Sequence, residues 1–430
     1  MKIFSSIYNF MLSGNCLGSK TMQLKDLYGI RADASAFKAR SDALAERYQT
    51  LTGECPQYWF SSPGRAEIIG NHTDHNHGKV IVAAISCDIL AAVGKRDDGM
   101  ICIYSEGFEP VSFCVTDTGV DPAEQGQSIA LARGVVKKIR DKGFEPGGFT
   151  AVCNSTVFRG AGVSSSAAYE LLVCEILNEL YLGGALSAVE KAVISQYAEN
   201  VYFGKPCGLL DQCGISFGGI RAIDFADPEH PVVEELSPPE GYTLVITNTG
   251  GSHDELTVHY AAIREEMRTV AEFFGKSVLQ EVPYEKFYDA LPELRKKISE
   301  RAVLRSFHFY EENARVELAA MALREKRADV FLSAVNGSGI SSLNCLQNCY
   351  VPGSDRQPVT LALHLSEILI QDGAVRIHGG GFAGTIIAFV ADGETERYVN
   401  GMGKVFGEAN VFTANIRRFG AAKIDLCELL

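Results

Sequence analysis

The spacing of apolar positions changes several times along the chain. Over residues 24–53 they recur at helical intervals, Leu24, Leu27 and Tyr28 and then Phe37, Leu44, Tyr48 and Leu51, among charged neighbours. This predicts one or two amphipathic helices. From Tyr58 to Val115 the texture turns to short β-rich runs at 68–69, 80–85, 90–93 and 101–104, broken by Gly and Asp, which predicts a sheet. Helical period returns over 128–142, a strand is expected over 149–157, and 167–181 reads as a strong helix with Glu170, Glu175, Asn178 and Glu179 on one face. A further helix follows over 188–201. Residues 227–241 hold Pro228, Pro231, Pro238 and Pro239 among acidic residues, the composition of a domain junction or long surface loop. Beyond it, a strand at 242–248, helices near 255–275 and 309–325 and a β-rich run at 385–391 predict a second α+β unit.

Composition narrows the function classes. The 430 residues are 46% hydrophobic and 22% charged, an ordinary globular balance; at about 150 residues per domain they make two or three domains. Forty Lys and Arg against 53 Asp and Glu leave a net charge of −13, so there is no overall positive field to hold nucleic acid. A small phosphorylated ligand remains compatible, because backbone N–H groups bind phosphate without net positive charge. No apolar run approaches the 18 residues of a membrane span; the densest, 80–85, is closed by Ser86 and Asp88. Ser, Asn and Gly interrupt the N-terminal apolar residues, so no secretory leader is expected. The 12 cysteines are scattered without a CxxC pair, which reads as free thiols in a reducing cytoplasm.

Four segments carry chemistry. The first runs Gly64-Arg65-Ala66-Glu67-Ile68-Ile69-Gly70-Asn71-His72-Thr73-Asp74-His75-Asn76-His77. Three readings compete: a metal site on His72, Asp74, His75 and His77, a polar hairpin turn, or Arg65 and Asp74 binding the hydroxyls and reactive oxygen of a small polar substrate. No HExxH is present, and no CxxC pair accompanies these histidines. The second, Gly160-Ala161-Gly162-Val163-Ser164-Ser165-Ser166-Ala167, lies between a predicted strand and a predicted helix. Small residues, consecutive N–H groups and a helix N-terminus suit phosphate, although a simple helix cap also uses Ser. It matches neither a Walker A loop nor the dinucleotide fingerprint. The third, Gly379-Gly380-Gly381-Phe382-Ala383-Gly384, contains GxGxxG formally, but a β-rich run follows where a Rossmann site needs a helix. The fourth, Cys207-Gly208-Leu209-Leu210-Asp211-Gln212, places Asp211 in an apolar stretch after Glu199. Asp211 reads either as a helix cap or as a group that orients or deprotonates a hydroxyl.

In this order the segments resemble the signature motifs of the GHMP small-molecule kinases, most closely the galactokinase branch. Gly64-Arg65, Ile69-Gly70 and His72-Thr73-Asp74 match the sugar signature, 160–168 the phosphate loop, 207–212 a Cys-Gly-x-x-Asp-Gln stretch, and Glu312 to Val316 another galactokinase segment. The resemblance runs from about residue 24 to the C-terminus. It implies an α+β, two-domain fold: an extension over 1–22, an N-terminal domain over 23–235 like ribosomal protein S5 domain 2, and a ferredoxin-like C-terminal domain over 236–430 whose last strands return to the first. It also implies ATP-dependent phosphorylation of a sugar at its anomeric hydroxyl, with D-galactose the first candidate.

By position, the resemblance makes Asp211 the catalytic carboxylate and Arg65 the group that stabilises the transferring phosphoryl. Asn71, His72, Asp74, Gly208 and Tyr260 would contact the sugar. Gly160, Ala161, Gly162, Val163, Ser164, Ser165, Ser166 and Ala167 would hold the ATP phosphates, with Ser166 and Glu199 on Mg²⁺. Partners are then sugar and ATP, with neither nucleic acid nor membrane, in a cytoplasmic monomer or weak homodimer. Three departures stand out. Asn71 replaces a usual Glu that reaches the outer hydroxyls toward C6, and losing its charge would relax rejection of a C6 carboxylate. His75 replaces a usual Tyr, and Phe158 a Pro. The alternatives are a kinase for galacturonic acid or another hexose, and a non-catalytic sugar and ATP sensor.

Overall fold

A computed structural model describes residues 22–30, 32–157, 162–250 and 256–429. Phe158, Gly160, Ala161 and residues 1–21 of the expected extension lie outside the described residues. The amphipathic N-terminal region forms α1 (Leu24–Tyr28) and α2 (Ala34–Thr52). Asp33 caps α2 by accepting from the N–H groups of Ser35 and Ala36, and Gly53 ends it in the left-handed conformation. Phe37, Leu44 and Tyr48 are buried as their spacing predicts, whereas Leu51 is exposed at the last turn.

The first sheet is built on two long strands, β1 (Tyr58–Ile69) and β2 (Lys79–Arg96), paired antiparallel. The two runs predicted at 80–85 and 90–93 are therefore one 18-residue strand. Its first half pairs with β6 (Ile220–Asp224) and its second with β5 (Gly148–Ser155), while β3 (Met100–Ser105) and β4 (Val111–Cys114) extend the far edge. Both faces are covered. Leu90, Ala92 and Val152 pack against α2, and Ala91, Val93 and Ala151 face a core shared with α3 (Ser128–Asp141) and α4 (Ser165–Tyr181). Burial on both sides explains why these strands are apolar without alternation. The carboxylates of α4 do not form a solvated face: Glu170, Glu175 and Asn178 are buried, and of the four only Glu179 is exposed. Next come α5 (Ala188–Tyr197), a π-turn over Ala198–Phe203 and the short helix α6 (Leu210–Phe217).

The proline-rich stretch differs from a plain loop, because its prolines flank β7 (Val232–Leu236), which pairs with β6. The chain then enters a second, antiparallel sheet in the order β11 (Val411–Ala414), β8 (Tyr242–Asn248), β10 (Thr385–Ala391), β9 (Gly373–His378). Helices α7 (Thr257–Phe273), α8 (Glu300–Arg324), α9 (Ala328–Ser341), α10 (Pro358–Leu369) and α11 (Thr395–Phe406) surround it. The helix expected at 309–325 begins nine residues earlier, at Glu300, after the cap Ser299. Finally β12 (Ala422–Ile424) returns to pair with β1, so the two ends of the chain share the first sheet. Among the described residues no helix is long and apolar enough to cross a membrane, and their eleven cysteines are free thiols.

Candidate active site

The conspicuous polar cluster lies where β1, the entry to α4, the start of α6 and the β9–β10 turn converge. Arg65 projects from the middle of β1, buried to 6% side-chain exposure. Its Nε and Nη2 both meet Asp211 Oδ1 at 2.8 Å, and its Nη1 donates to the carbonyl of Gly162. Asp211 sits in the first turn of α6, where the helix end favours a carboxylate. Its second oxygen accepts from Ser164 Oγ at 2.5 Å. Burial alone would push the Asp211 carboxyl up, but the Arg65 charge, the bonds from Arg65 and Ser164 and the charge of Lys205 hold it below its ordinary value. It is therefore ionised at neutral pH.

Ser164 precedes α4 with φ 61°, a left-handed conformation unusual for a residue with a side chain. Its hydroxyl does not cap the helix but turns to Asp211. Gly162, with φ 67°, turns the chain just before it; a Cβ there would lie 2.6 Å from Thr385 Oγ1. Val163 is buried beneath this turn, and its carbonyl accepts from the Arg65 N–H at 3.2 Å. Ser165 opens α4, and Ala167 is buried in its first turn.

One turn deeper, Ser166 Oγ donates to Glu199 Oε1 at 2.9 Å. Glu199, on the π-turn, also receives Lys205 Nζ at 3.1 Å and Gln212 Nε2 at 2.8 Å. Glu170 follows Ser166 by four residues on the same helix face and accepts from Gln212 Nε2 at 3.2 Å. Its Oε1 is buried with no partner among the described residues. Burial, reinforced by the Glu199 charge, pushes the Glu170 carboxyl well above its usual range. A hydroxyl, two close carboxylates and an unsatisfied buried oxygen form a hard-oxygen set of the kind that suits Mg²⁺. Glu170 was recoverable from the i, i+4 spacing with Ser166; Lys205 carries no sequence signal, because its role depends on the turn that brings it back to Glu199.

The loop between β1 and β2 supplies the other wall. Asp74 Oδ1 accepts from the His75 N–H at 2.9 Å, and Gly208 presses so closely on its carboxylate that a Cβ there would lie 1.7 Å from Oδ2. Burial first, then the charges of Asp211 and Glu67, raise the Asp74 carboxyl to about 6. A cleft of about 510 Å³ opens beside this wall, lined by Asp74, His75, Cys207, Gly208 and Arg264 among others.

His72, at φ 58°, meets the Gly380 carbonyl through Nε2 at 3.0 Å and His75 Nε2 through Nδ1 at 3.3 Å. Because a carbonyl only accepts, His72 carries its proton on Nε2. His75 then donates to His72 and accepts from the Asn76 amide at 2.9 Å. Burial lowers the His72 pKa to about 4 and His75 well below its ordinary value, so both are neutral. These two histidines are thus engaged in a relay that steadies the glycine loop. Among the described residues no group of three or more His, Cys, Asp or Glu is placed to hold a metal ion.

Asn71 differs from its expected place toward the outer hydroxyls. It is fully buried, donating to Glu67 Oε1 at 2.8 Å and the Gly379 carbonyl at 2.7 Å and accepting from Asn348 at 2.8 Å. Its amide hydrogens are both spent inside the protein. Tyr260, on α7, donates to the Gly381 carbonyl at 2.9 Å and packs edge-on to Phe382, bracing the same loop. That loop is the β9–β10 turn, with the strands paired at His378 and Thr385, as the β-rich run after it predicts.

Comparison with known proteins agrees with this geometry. The galactokinase galactose-binding signature matches residues 46–95, and the GHMP kinases N terminal domain matches 130–219. A galactokinase of Actinobacillus pleuropneumoniae serotype 5b (strain L20) is 33% identical over 341 residues, covering 78% of this chain and 85% of that protein. The crystal structure of Lactococcus lactis galactokinase complexed with galactose superposes with a TM-score of 0.78 at 26% identity, over 90% of this chain and 100% of that one. Mevalonate kinase of Methanococcus jannaschii, at 13% identity and a TM-score of 0.60 over 83% of this chain and 98% of its own, shares the fold. Extensive identity across most of a galactokinase, together with both family signatures in their proper order, means that this chain belongs to the galactokinase family of GHMP kinases.

Proposed function

We propose that the protein transfers the γ-phosphoryl group of ATP to the anomeric hydroxyl of D-galactose, giving α-D-galactose 1-phosphate and ADP. The observation that carries the reading is the Arg65–Asp211–Ser164 constellation, an ionised carboxylate fixed by a guanidinium beside a helix N-terminus. The sugar O1 attacks the γ-phosphorus, the bond from that phosphorus to the bridging oxygen breaks, and the hydroxyl proton passes to Asp211. A carboxylate held below its ordinary pKa is a weak base. Asp211 therefore orients O1 first and takes the proton as the new P–O bond forms, in keeping with a loose transition state. Arg65 meets the charge that spreads over the transferring group.

Residues 162–167 at the start of α4 would offer N–H groups to the ATP phosphates, in the phosphate loop that the sequence motif begins at Gly160. Ser166 and Glu199 would hold Mg²⁺, with Glu170 behind them, and the bound ion would neutralise phosphate charge. Asp74, backed by Gly208, accepts hydrogen bonds from ring hydroxyls. His72, Asn71 and Tyr260 position the glycine loop that closes the sugar pocket. The first sheet with its helices, 23–235, carries most of these groups, and 236–430 supplies the lid side. The sensor alternative has no observation in its favour, since it requires neither the oriented acid nor its arginine.

The test is ADP release with Mg²⁺ across galactose, galacturonate, glucose, N-acetylgalactosamine and arabinose. Turnover is expected with galactose preferred, and Asp211→Asn should lose about 10²–10⁴-fold in kcat. Sugar binding without turnover by the wild type would instead establish the sensor, and an unimpaired Asp211→Asn would remove Asp211 from the chemistry.

A further inference from the structure

Glu67 is a buried carboxylate that the mechanism above leaves unused. It lies on β1 two residues beyond Arg65, in unbroken register with β2 (Arg65 opposite Ala84, Glu67 opposite Val82). Strand alternation therefore puts both side chains on the site face, while Ala66 and Ile68 enter the core behind. Glu67 is only 5% exposed. Its Oε1 is doubly held, by the Asn71 amide at 2.8 Å and the Arg376 guanidinium at 3.1 Å. Oε2 has no hydrogen-bond partner among the described residues and keeps access to solvent.

Burial raises this carboxyl above its ordinary value, against the opposing charges of Arg376 and Arg65. Buried charges are normally fully paired, because each unmet lone pair forfeits hydration. Here the pairing is one-sided: one oxygen is pinned by two donors and the other is left without one, on the strand face that carries Arg65, and the Glu67 charge is felt by the Asp74 carboxyl. A fixed acceptor beside a second carboxylate is complementary to hydroxyl donors and repels an anion.

We propose that Glu67 Oε2 accepts a hydrogen bond from one hydroxyl of the bound sugar, and that its charge selects neutral sugars over uronic acids. The inference rests on the sugar-kinase reading. It also changes the consequence of Asn71: its amide orients the neighbouring carboxylate, so a negative charge is retained where its loss had been expected to admit a C6 carboxylate.

The experiment measures kcat/KM for the full-length wild type and Glu67→Gln on galactose, its 2-, 3-, 4- and 6-deoxy analogues and galacturonate. In the wild type one deoxy analogue should fall at least about tenfold below galactose, because a site built to bind a hydroxyl is left unpaired without it. In Glu67→Gln that gap should shrink to within about threefold, chiefly through KM, and the galacturonate-to-galactose ratio should rise about tenfold or more. The same analogue pattern in both proteins, with an unchanged galacturonate ratio, overturns the inference. If Glu67→Gln does not fold, because Arg376 loses its counter-charge, Glu67→Asp keeps the charge and withdraws Oε2: the deoxy gap should shrink as before while the galacturonate ratio stays at the wild-type value, and an unchanged gap overturns the inference. A wild type that turns over no sugar defeats the sugar-kinase reading and this inference together; turnover with an unchanged pattern defeats the inference alone.

Discussion

In the proposed sugar-binding role, Asp74 trades stability against binding. Its carboxyl, raised to about 6 from an ordinary 3.8 by burial and by Asp211 and Glu67, is favoured by the fold in its neutral form. The sign follows: its contribution to stability is complete below pH 3.8 and is lost as pH rises through about 6. Sugar recognition by an acceptor needs the opposite state. We expect kcat/KM for galactose to fall on the acid side with an apparent pKa near 6, and Asp74→Asn to lose that limb along with most of its sugar affinity. A pH–rate profile of both proteins checks this, and an identical acid limb in Asp74→Asn would assign it to another group. The sequence names Asp74 as a candidate but is silent on its pKa, because the two charges that shift it arrive from β1 and from α6.

At the scale of elements, the entry to α4 concentrates strain beside the carboxylate proposed for the chemistry. Ser164 holds φ 61° and surrenders its capping role to reach Asp211. Replacing it tests both effects together. Ser164→Gly relieves the left-handed conformation and should equal or exceed the wild type in stability, while Ser164→Ala keeps the strain and should be about 1 kcal/mol less stable than the glycine variant. Both lose the hydroxyl, and both should lose kcat to a similar extent. Thermal melts with turnover separate the two effects, and a glycine variant no more stable than the alanine one would refute the strain. The small residues of this loop announce its position in the sequence. The sequence places the α4 carboxylates on one face but does not tell that they are buried, because Gln212, which hydrogen-bonds Glu170, and Glu199, whose charge acts on it, come from later elements.

Across the whole molecule, one buried carboxylate joins the chain ends. Asp88, on β2, accepts from Tyr28 of α1 at 2.6 Å, from Arg40 of α2 at 2.7 Å and from Ser61 of β1, and lies 3.6 Å from Arg417 near the C-terminus. Burial pushes its carboxyl up, but Arg40 and Arg417 outweigh that and hold it below 3.8. With a lowered folded value, its stabilisation is full above pH 3.8 and is lost as pH falls through the folded pKa. Asp88→Asn leaves two arginines without their counter-charge and should destabilise the protein by about 3–5 kcal/mol, read from urea unfolding at pH 7; an unchanged midpoint would show that the network carries no stability. Taken by itself, the sequence determined the two α+β halves, the strand after the third glycine loop and the residue types of the candidate site, because periodicity and short motifs are local properties of the chain. Only the tertiary structure decided which polar atoms are left free to meet a ligand. Asn71 is sealed and Glu67 half-open because their partners, Arg376, Asn348 and Gly379, come from the other end of the chain, and hydrogen-bond capacity is settled only when distant donors and acceptors are brought together.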